Sequence, residues 1–228
     1  IVSIFFGRGT PSLFSPESID KILNVIQSQL SFDSEIEITL EANPGAAEAA
    51  KFREYREIGI NRLSIGVQSF NDQSLNLLGR IHDVNEAKKS IQFCKNAGFE
   101  NFNLDIMFGL PNQKVDEAIA DLKQAIYYSP THISWYQLTI EPNTVFASKP
   151  PKLPNDDIIY SMQVKGQEFL KKNNFEQYEI SAYAKNNYKS KHNLNYWKFG
   201  DYLGVGAGSH GKITCPTNSQ IERYIRHK

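Results

Sequence analysis

Gly66-Val67-Gln68-Ser69-Phe70 closes a run rich in β formers, Asn61–Val67, and it decides how the rest of the chain is read. Four other polar breaks also follow apolar, β-rich runs. They are Gly7-Arg8-Gly9-Thr10-Pro11, Glu41-Ala42-Asn43-Pro44, Asp105-Ile106-Met107-Phe108-Gly109-Leu110-Pro111 and Thr139-Ile140-Glu141-Pro142. In a parallel α/β barrel the carboxyl ends of the strands share one face, and that face carries the ligands. The breaks therefore predict one site built from several strand ends.

Between the breaks, strands and helices alternate. Strands are expected at Ile1–Phe6, Glu35–Leu40, Asn61–Val67, Asn101–Phe108, His132–Leu138 and Gln177–Ala184. Ser15-Pro16 reads as an N-cap followed by proline at the first helical position, and Ile19, Ile22, Leu23, Ile26 and Leu30 keep a helical period after it. Gly59 and Gly98 stand where helices should stop. Pro142–Pro154 reads as a loop before a helix from about Asn155 to Lys172, and Asn186–Lys212 shows no long period. Repeated strand–helix units imply parallel βαβ connections. The predicted fold is a partial (β/α) barrel, truncated at both ends, with a core over 1–184 and a separate segment over 185–228. An open doubly wound sheet is the alternative, although no GxGxxG fingerprint follows the first strand.

Composition narrows the function. The 228 residues balance Lys+Arg 25 against Asp+Glu 25, so no basic footprint for nucleic acid is present. No apolar run approaches the roughly 20 residues needed to span a bilayer. Peripheral membrane contact leaves no mark in the sequence. Cys94 and Cys215 are too few for a disulfide framework, which points to a reducing cytoplasm. Cys94 lies on the periodic face of an expected helix and reads as a buried thiol. The chain opens directly in a strand at Ile1, with no signal peptide in view, and reads as a piece of a longer protein.

Several side chains suit ligand chemistry. Gly7, Gly9 and Thr10 form a loop on which a ligand could approach the backbone closely. Glu41 and Asp105, at strand ends, can accept from hydroxyl or amino groups; helix capping or an internal salt bridge is the plainer role. Gln68 orients without carrying protons, and Arg80 can clamp a carboxylate or simply end a helix. His192-Asn193-Leu194-Asn195-Tyr196-Trp197 gathers an imidazole and two large aromatics. It reads either as an iron ligand beside a flat macrocycle or as a loop plugging the barrel. His210 sits in a glycine-rich turn, and His82, His132 and His227 show no metal-ligand spacing.

Taken in order, Gly-x-Gly-Thr-Pro, Glu-Ala-Asn-Pro, Gly-Val-Gln-Ser-Phe, Leu-Gly-Arg-Ile-His and Asp-Ile-Met-Phe-Gly-Leu-Pro resemble the radical S-adenosylmethionine (SAM) family of oxygen-independent coproporphyrinogen III oxidases. Trp135–Thr144 and the stretch from His192 to Gly204 resemble its haem-chaperone branch. The resemblance implies a haem-binding chaperone that passes haem to a haem-dependent protein, without coproporphyrinogen oxidase activity. The alternative is the oxidase itself, a radical SAM decarboxylase of porphyrin biosynthesis. It also implies a 4Fe–4S cluster on three cysteines, with SAM on the cluster's remaining iron site. Gly7 and Glu41 match SAM-contacting positions, as does Thr10 in the same loop; Gly9, Gln68, Arg80, Asp105 and Thr139 match positions that contact adenosyl ligands. His192, Tyr196 and Trp197 match the haem motif, with His192 as the implied iron ligand. Two departures stand out. The three-cysteine motif is absent from these residues, so the chain is expected to hold no cluster and to bind SAM weakly or not at all. Arg8 replaces the family's middle glycine, and a long cation there is expected to crowd the ligand or pair with its carboxylate.

Overall fold

The computed structural model describes residues 1–45, 49–206, 209–215 and 221–226. Ala207 and Gly208 of the glycine-rich turn, and 216–220, 227 and 228 of the C-terminal segment, lie outside the described residues. The chain divides into two compact units, Ile1–Lys189 and Ser190–Lys228.

The first unit is built on one seven-stranded sheet. Its strands are β1 (Ser3–Phe6), β2 (Glu37–Ala42), β3 (Arg62–Gln68), β4 (Phe102–Phe108), β5 (His132–Gln137), β6 (Phe175–Gln177) and β7 (Ala182–Lys185), in spatial order β1-β2-β3-β4-β5-β7-β6. β1 to β5 pair in parallel and in sequence order. Among the described residues the sheet is open, with β1 and β6 at its edges. The α/β class and the parallel sheet are as the sequence predicts.

The last strand is not. Gln177–Ala184 was expected as a sixth parallel strand, but the chain makes a hairpin there. β7 runs antiparallel to both β5 and β6. Tyr178–Ser181 forms the reversal, with the Tyr178 N–H donating to the Ala182 carbonyl and Ile180 left 76% exposed. An isoleucine in a turn is what a β-propensity reading mistakes for strand.

Helices α1 (Pro16–Gln29), α2 (Phe52–Glu57), α3 (Asp72–Leu77), α4 (Val84–Asn96), α5 (Val115–Tyr127), α6 (Val145–Ser148) and α7 (Asp156–Lys172) connect the strands. α6 lies in the stretch expected to be loop, where the Thr144 side chain caps it by accepting from the Ala147 N–H. Their starts follow the local chemistry. Ser15 accepts from the Ser18 N–H ahead of Pro16, and Asp83 and Glu86 form a reciprocal capping box on α4. Gly59 and Gly98 take φ of 104° and 83°, the left-handed conformation that ends a helix.

Alternation along the strands sorts the sheet into two faces. Ile38, Leu40, Leu63, Ile65, Val67, Phe102, Leu104, Ile106, Phe108, Ile133 and Trp135 pack with helix residues such as Ile19, Leu23, Ile91, Leu122, Met162 and Leu170 in one apolar core. At Gly166 of α7 the backbone lies against the Trp135 indole; a Cβ there would fall onto ring carbons Cη2 and Cζ3. The intervening positions are polar: Thr39 and Glu41, Arg62, Ser64 and Gln68, Asn103 and Asp105, His132, Ser134 and Tyr136. Several are deeply buried, including Thr39, Arg62 and His132. A buried polar face needs partners of its own or a ligand.

The second unit holds α8 (Lys191–Trp197) and the antiparallel hairpin β8 (His210–Cys215) and β9 (Ile221–Arg226). Ser190 caps α8 by accepting from the Asn193 N–H, and the seven-residue helix is too short to declare itself by periodicity.

Candidate functional site

The polar face opens into a cavity of about 410 Å³ at the carboxyl ends of the strands. Gly9, Thr10, Glu41, Asn43, Gln68, Arg80 and Asp105 line it, as do Ser64 and Gly66 of β3, Ser134 and Tyr136 of β5, and Ser181. Glu41 and Asp105 thus share one face, as the strand-end motifs predict.

Each side chain is held from a different element. The Arg8 N–H donates to Glu41 Oε2 at 2.9 Å, from a residue whose φ is 63°. Gly7 leaves room for this contact, since a Cβ there would meet the Phe5 ring and lie 3.0 Å from Glu41 Oε1. The Arg8 side chain is exposed and is not part of the cavity wall, while its charge acts on Glu41. The Asn43 amide donates to Thr10 Oγ1 at 3.2 Å, tying the first two strand-end loops together.

Gln68 is the most constrained residue of the wall. It is 4% exposed, its φ is 69°, and the β3–β4 register shifts between Ile65 and Gln68. The Tyr136 hydroxyl donates to Gln68 Oε1 at 2.6 Å, and a Cβ on Gly66 would meet Gln68 Nε2 at 2.9 Å. The amide therefore lies against Gly66, and the Tyr136 hydroxyl on Oε1 fixes which end is the NH2. Left-handed backbone at a non-glycine residue is a feature that clusters at binding sites.

Arg80 reaches the wall because Gly79, at φ 68°, turns the chain back after α3. Ile81 beside it is 97% exposed, while buried His82 places Nε2 3.2 Å from the Val67 carbonyl and anchors the turn to β3. Burial pushes the His82 pKa down, so the neutral ring donates its Nε2–H there.

Burial also raises the pKa of Glu41, helped by the charge of Asp105 and opposed by the Arg8 N–H. It raises Asp105 as well, against the hydrogen bonds of Asn103, Ser134 and Ser64. Tyr136 is pushed up by burial and by Asp105. The cavity wall thus pairs two carboxylates with the Arg80 guanidinium, with Arg8 and Arg62 acting on Glu41 and Asp105 from outside it, inside a size range usual for small-molecule pockets. Carboxylates to accept N–H or O–H, Arg80 to take a carboxylate and glycine-backed walls form a donor set that fits an adenosine-bearing amino acid such as SAM.

The other expected residues lie elsewhere. Thr139 is exposed, 3.4 Å from Glu141 Oε1, and is not part of the cavity wall. Gly7 stands behind Glu41. In the second unit His192 and Tyr196 occupy one face of α8, with ring centroids 4.9 Å apart at 64°, and Tyr196 packs on Tyr202 at 4.6 Å. Tyr196 and Trp197 are about half exposed. Cys94 is buried and its thiol pKa is raised by burial. Cys215 belongs to β8 in the other unit, and two cysteines cannot supply the three thiolates of a cluster. The residues present do not fit a 4Fe–4S cluster. The wall residues Ser64, Ser134 and Tyr136 were not among the expected site residues. Their signal was the polar alternate positions of strands that otherwise read as apolar throughout.

The model of the radical SAM superfamily matches residues 1–125. The chain belongs to the radical SAM superfamily. Among curated proteins it is similar to the haem chaperone HemW of Haemophilus influenzae, 56% identical over 226 residues, covering 99% of this chain and 59% of that protein. It is 50% identical over 216 residues to HemW of Escherichia coli, covering 95% of this chain and 57% of that one. The chain therefore spans about three fifths of the length of these relatives. Among solved structures it superposes on the coproporphyrinogen III oxidase HemN of Escherichia coli, a radical SAM enzyme, with a TM-score of 0.79, 21% identity, and coverage of 92% of this chain and 52% of that one. That likeness is one of fold. No helix among the described residues is long and apolar enough to cross a membrane.

Proposed function

We propose that the protein is a haem-binding chaperone of the radical SAM superfamily that delivers haem to a haem-dependent protein in the cytoplasm. The observation that carries this reading is the imidazole and aromatic face of α8, His192 with Tyr196, in a chain 56% identical to a protein named haem chaperone. Neutral imidazole ligates haem iron, and the half-exposed rings of Tyr196 and Trp197 offer a flat apolar surface to a porphyrin. The balanced charge of the chain supports a small-molecule cargo over nucleic acid.

In the same reading the cavity of the first unit takes SAM. Glu41 and Asp105 accept from its amino or ribose groups, Arg80 receives its carboxylate, and Gln68 orients it through the NH2 end that Tyr136 leaves free to turn inward. Gly9 and Thr10 close the loop side. In this superfamily SAM with its cluster supplies one-electron chemistry. The cysteines here do not assemble such a cluster, and no step is assigned to it.

Titration of haemin into the protein, followed at the Soret band and by circular dichroism, tests the chaperone reading. Wild type should give a ligand-shifted Soret band, and His192→Ala should stay folded and lose most of it. A folded His192→Ala with the wild-type spectrum and affinity, also in a His210→Ala background, refutes His192 as the ligand.

A further inference from the structure

Beneath the cavity a single line of side-chain hydrogen bonds crosses the sheet. The Tyr178 hydroxyl lies 2.7 Å from His132 Nε2, and His132 Nδ1 lies 2.7 Å from Asn103 Oδ1. Asn103 Nδ2 donates at 2.8 Å to Asp105 Oδ1 and at 2.8 Å to Ser64 Oγ. Ser64 Oγ donates in turn to Asp105 Oδ2 at 3.2 Å, and the single Ser134 hydroxyl proton has two acceptors in reach, Asn103 Oδ1 at 3.2 Å and the Asp105 carboxylate.

With Asp105 ionised, the line from Tyr178 to Asp105 has one set of directions. An ionised carboxylate only accepts, so Asn103 must turn its NH2 toward Asp105. Its carbonyl then faces His132, whose Nδ1 must carry the proton. His132 is fully buried, and burial together with the Arg62 charge keeps the ring neutral. Nε2 is then bare, and Tyr178 must donate to it. Both protons of the Asn103 amide are used, one on each of two acceptors. Flipping that amide would set its carbonyl against the carboxylate and its NH2 against the protonated Nδ1.

We propose that Tyr178, His132 and Asn103 are positioning residues, whose hydrogen-bonded line holds the Asp105 carboxylate in one orientation with its remaining lone pairs presented to the ligand of the cavity. The proposal rests on the reading of that cavity as an adenosyl-ligand site. The charged and titratable groups that act on Asp105 from the packed elements are Arg62 on β3, Glu41 on β2 and Tyr136 on β5, with Arg8 acting on Glu41, Arg80 on Tyr136 and Arg62 on His132. None of them replaces the Asn103 amide as its hydrogen-bond donor. His132 therefore acts on the site at one remove, through Asn103.

A double-mutant cycle tests the line. Tyr178→Phe removes one oxygen at its outer end, and Asp105→Asn changes its inner end. NMR titration with S-adenosylhomocysteine reads affinity even when binding is weak. Tyr178→Phe should weaken binding about 5-fold in the presence of Asp105, the worth of one hydrogen bond, and not at all in the Asp105→Asn background. Equal losses in both backgrounds, or no loss in either, overturn the proposal. A second readout needs no ligand: the imidazole 15N spectrum of wild type should show His132 neutral with the proton on Nδ1, and Tyr178→Phe should move it. A proton on Nε2 in wild type overturns the line. If wild type binds no S-adenosylhomocysteine, the adenosyl reading of the cavity falls, and the imidazole spectrum still decides whether the line exists.

Discussion

Replacing Gln68 by glycine and, separately, by alanine isolates the backbone strain at the cavity wall. Both variants lose the same 2.6 Å bond from Tyr136 and the same buried amide, so their difference reports the backbone alone. At an ordinary interior strand position glycine is less stable than alanine by roughly 0.5–1 kcal/mol, from its greater freedom when unfolded. Gln68 has φ 69°, where a Cβ costs roughly 1–2 kcal/mol. Subtracting the first effect from the second leaves Gln68→Gly more stable than Gln68→Ala by about 0.5–1 kcal/mol, an inversion of the usual order. Urea unfolding at matched m-values measures it directly, and adenosyl-ligand binding should fall equally in the two. If Gln68→Ala proves as stable as Gln68→Gly or more so, the wall carries no stored backbone strain and the reasoning fails.

Two further outcomes concern stability. Gly166→Ala drives a methyl group into the Trp135 ring and should cost about 3 kcal/mol, lowering Tm by roughly 6–12 °C for a chain of this size; Trp135→Phe in the same molecule should recover part of the loss, and full additivity of the two changes would contradict the contact. Asp121 accepts from the Phe70 N–H at 2.7 Å and Ser69 Oγ at 2.8 Å, yet burial raises its pKa to about 6. The folded state then holds the proton more tightly than the unfolded chain, so the stability contributed by Asp121 is complete below about pH 4, falls as pH rises to about 6, and is constant above. The difference in unfolding free energy between wild type and Asp121→Asn should change by about 3 kcal/mol across that window; a flat difference would show that the two hydrogen bonds balance burial, and a difference of opposite slope that they outweigh it.

The strand ends and helix boundaries were legible because short-range chemistry sets them: Ser15 with Pro16, Gly59 and Gly98 act within a few residues of themselves. The motifs that carry Glu41, Gln68, Arg80 and Asp105 were legible for the same reason, since a polar break after an apolar run survives in one dimension. The walls between them were not. Ser64, Ser134 and Tyr136 become neighbours only when β3, β4 and β5 pair, at registers such as Asp105 opposite Ser134. His132 carries no local signal of its role, because its partners Asn103 and Tyr178 lie 29 and 46 residues away. The hairpin at β6 and β7 was missed because Tyr178–Ser181 contains no glycine, proline or asparagine to mark a turn.

The two-faced sheet separates what keeps this chain folded from what it can hold. The apolar face is committed to the helices, while the polar face is committed to nothing that the helices need. Replacements at the rim of the wall can therefore alter which molecule is welcomed, while those inside the hydrogen-bonded line must change together with their partners.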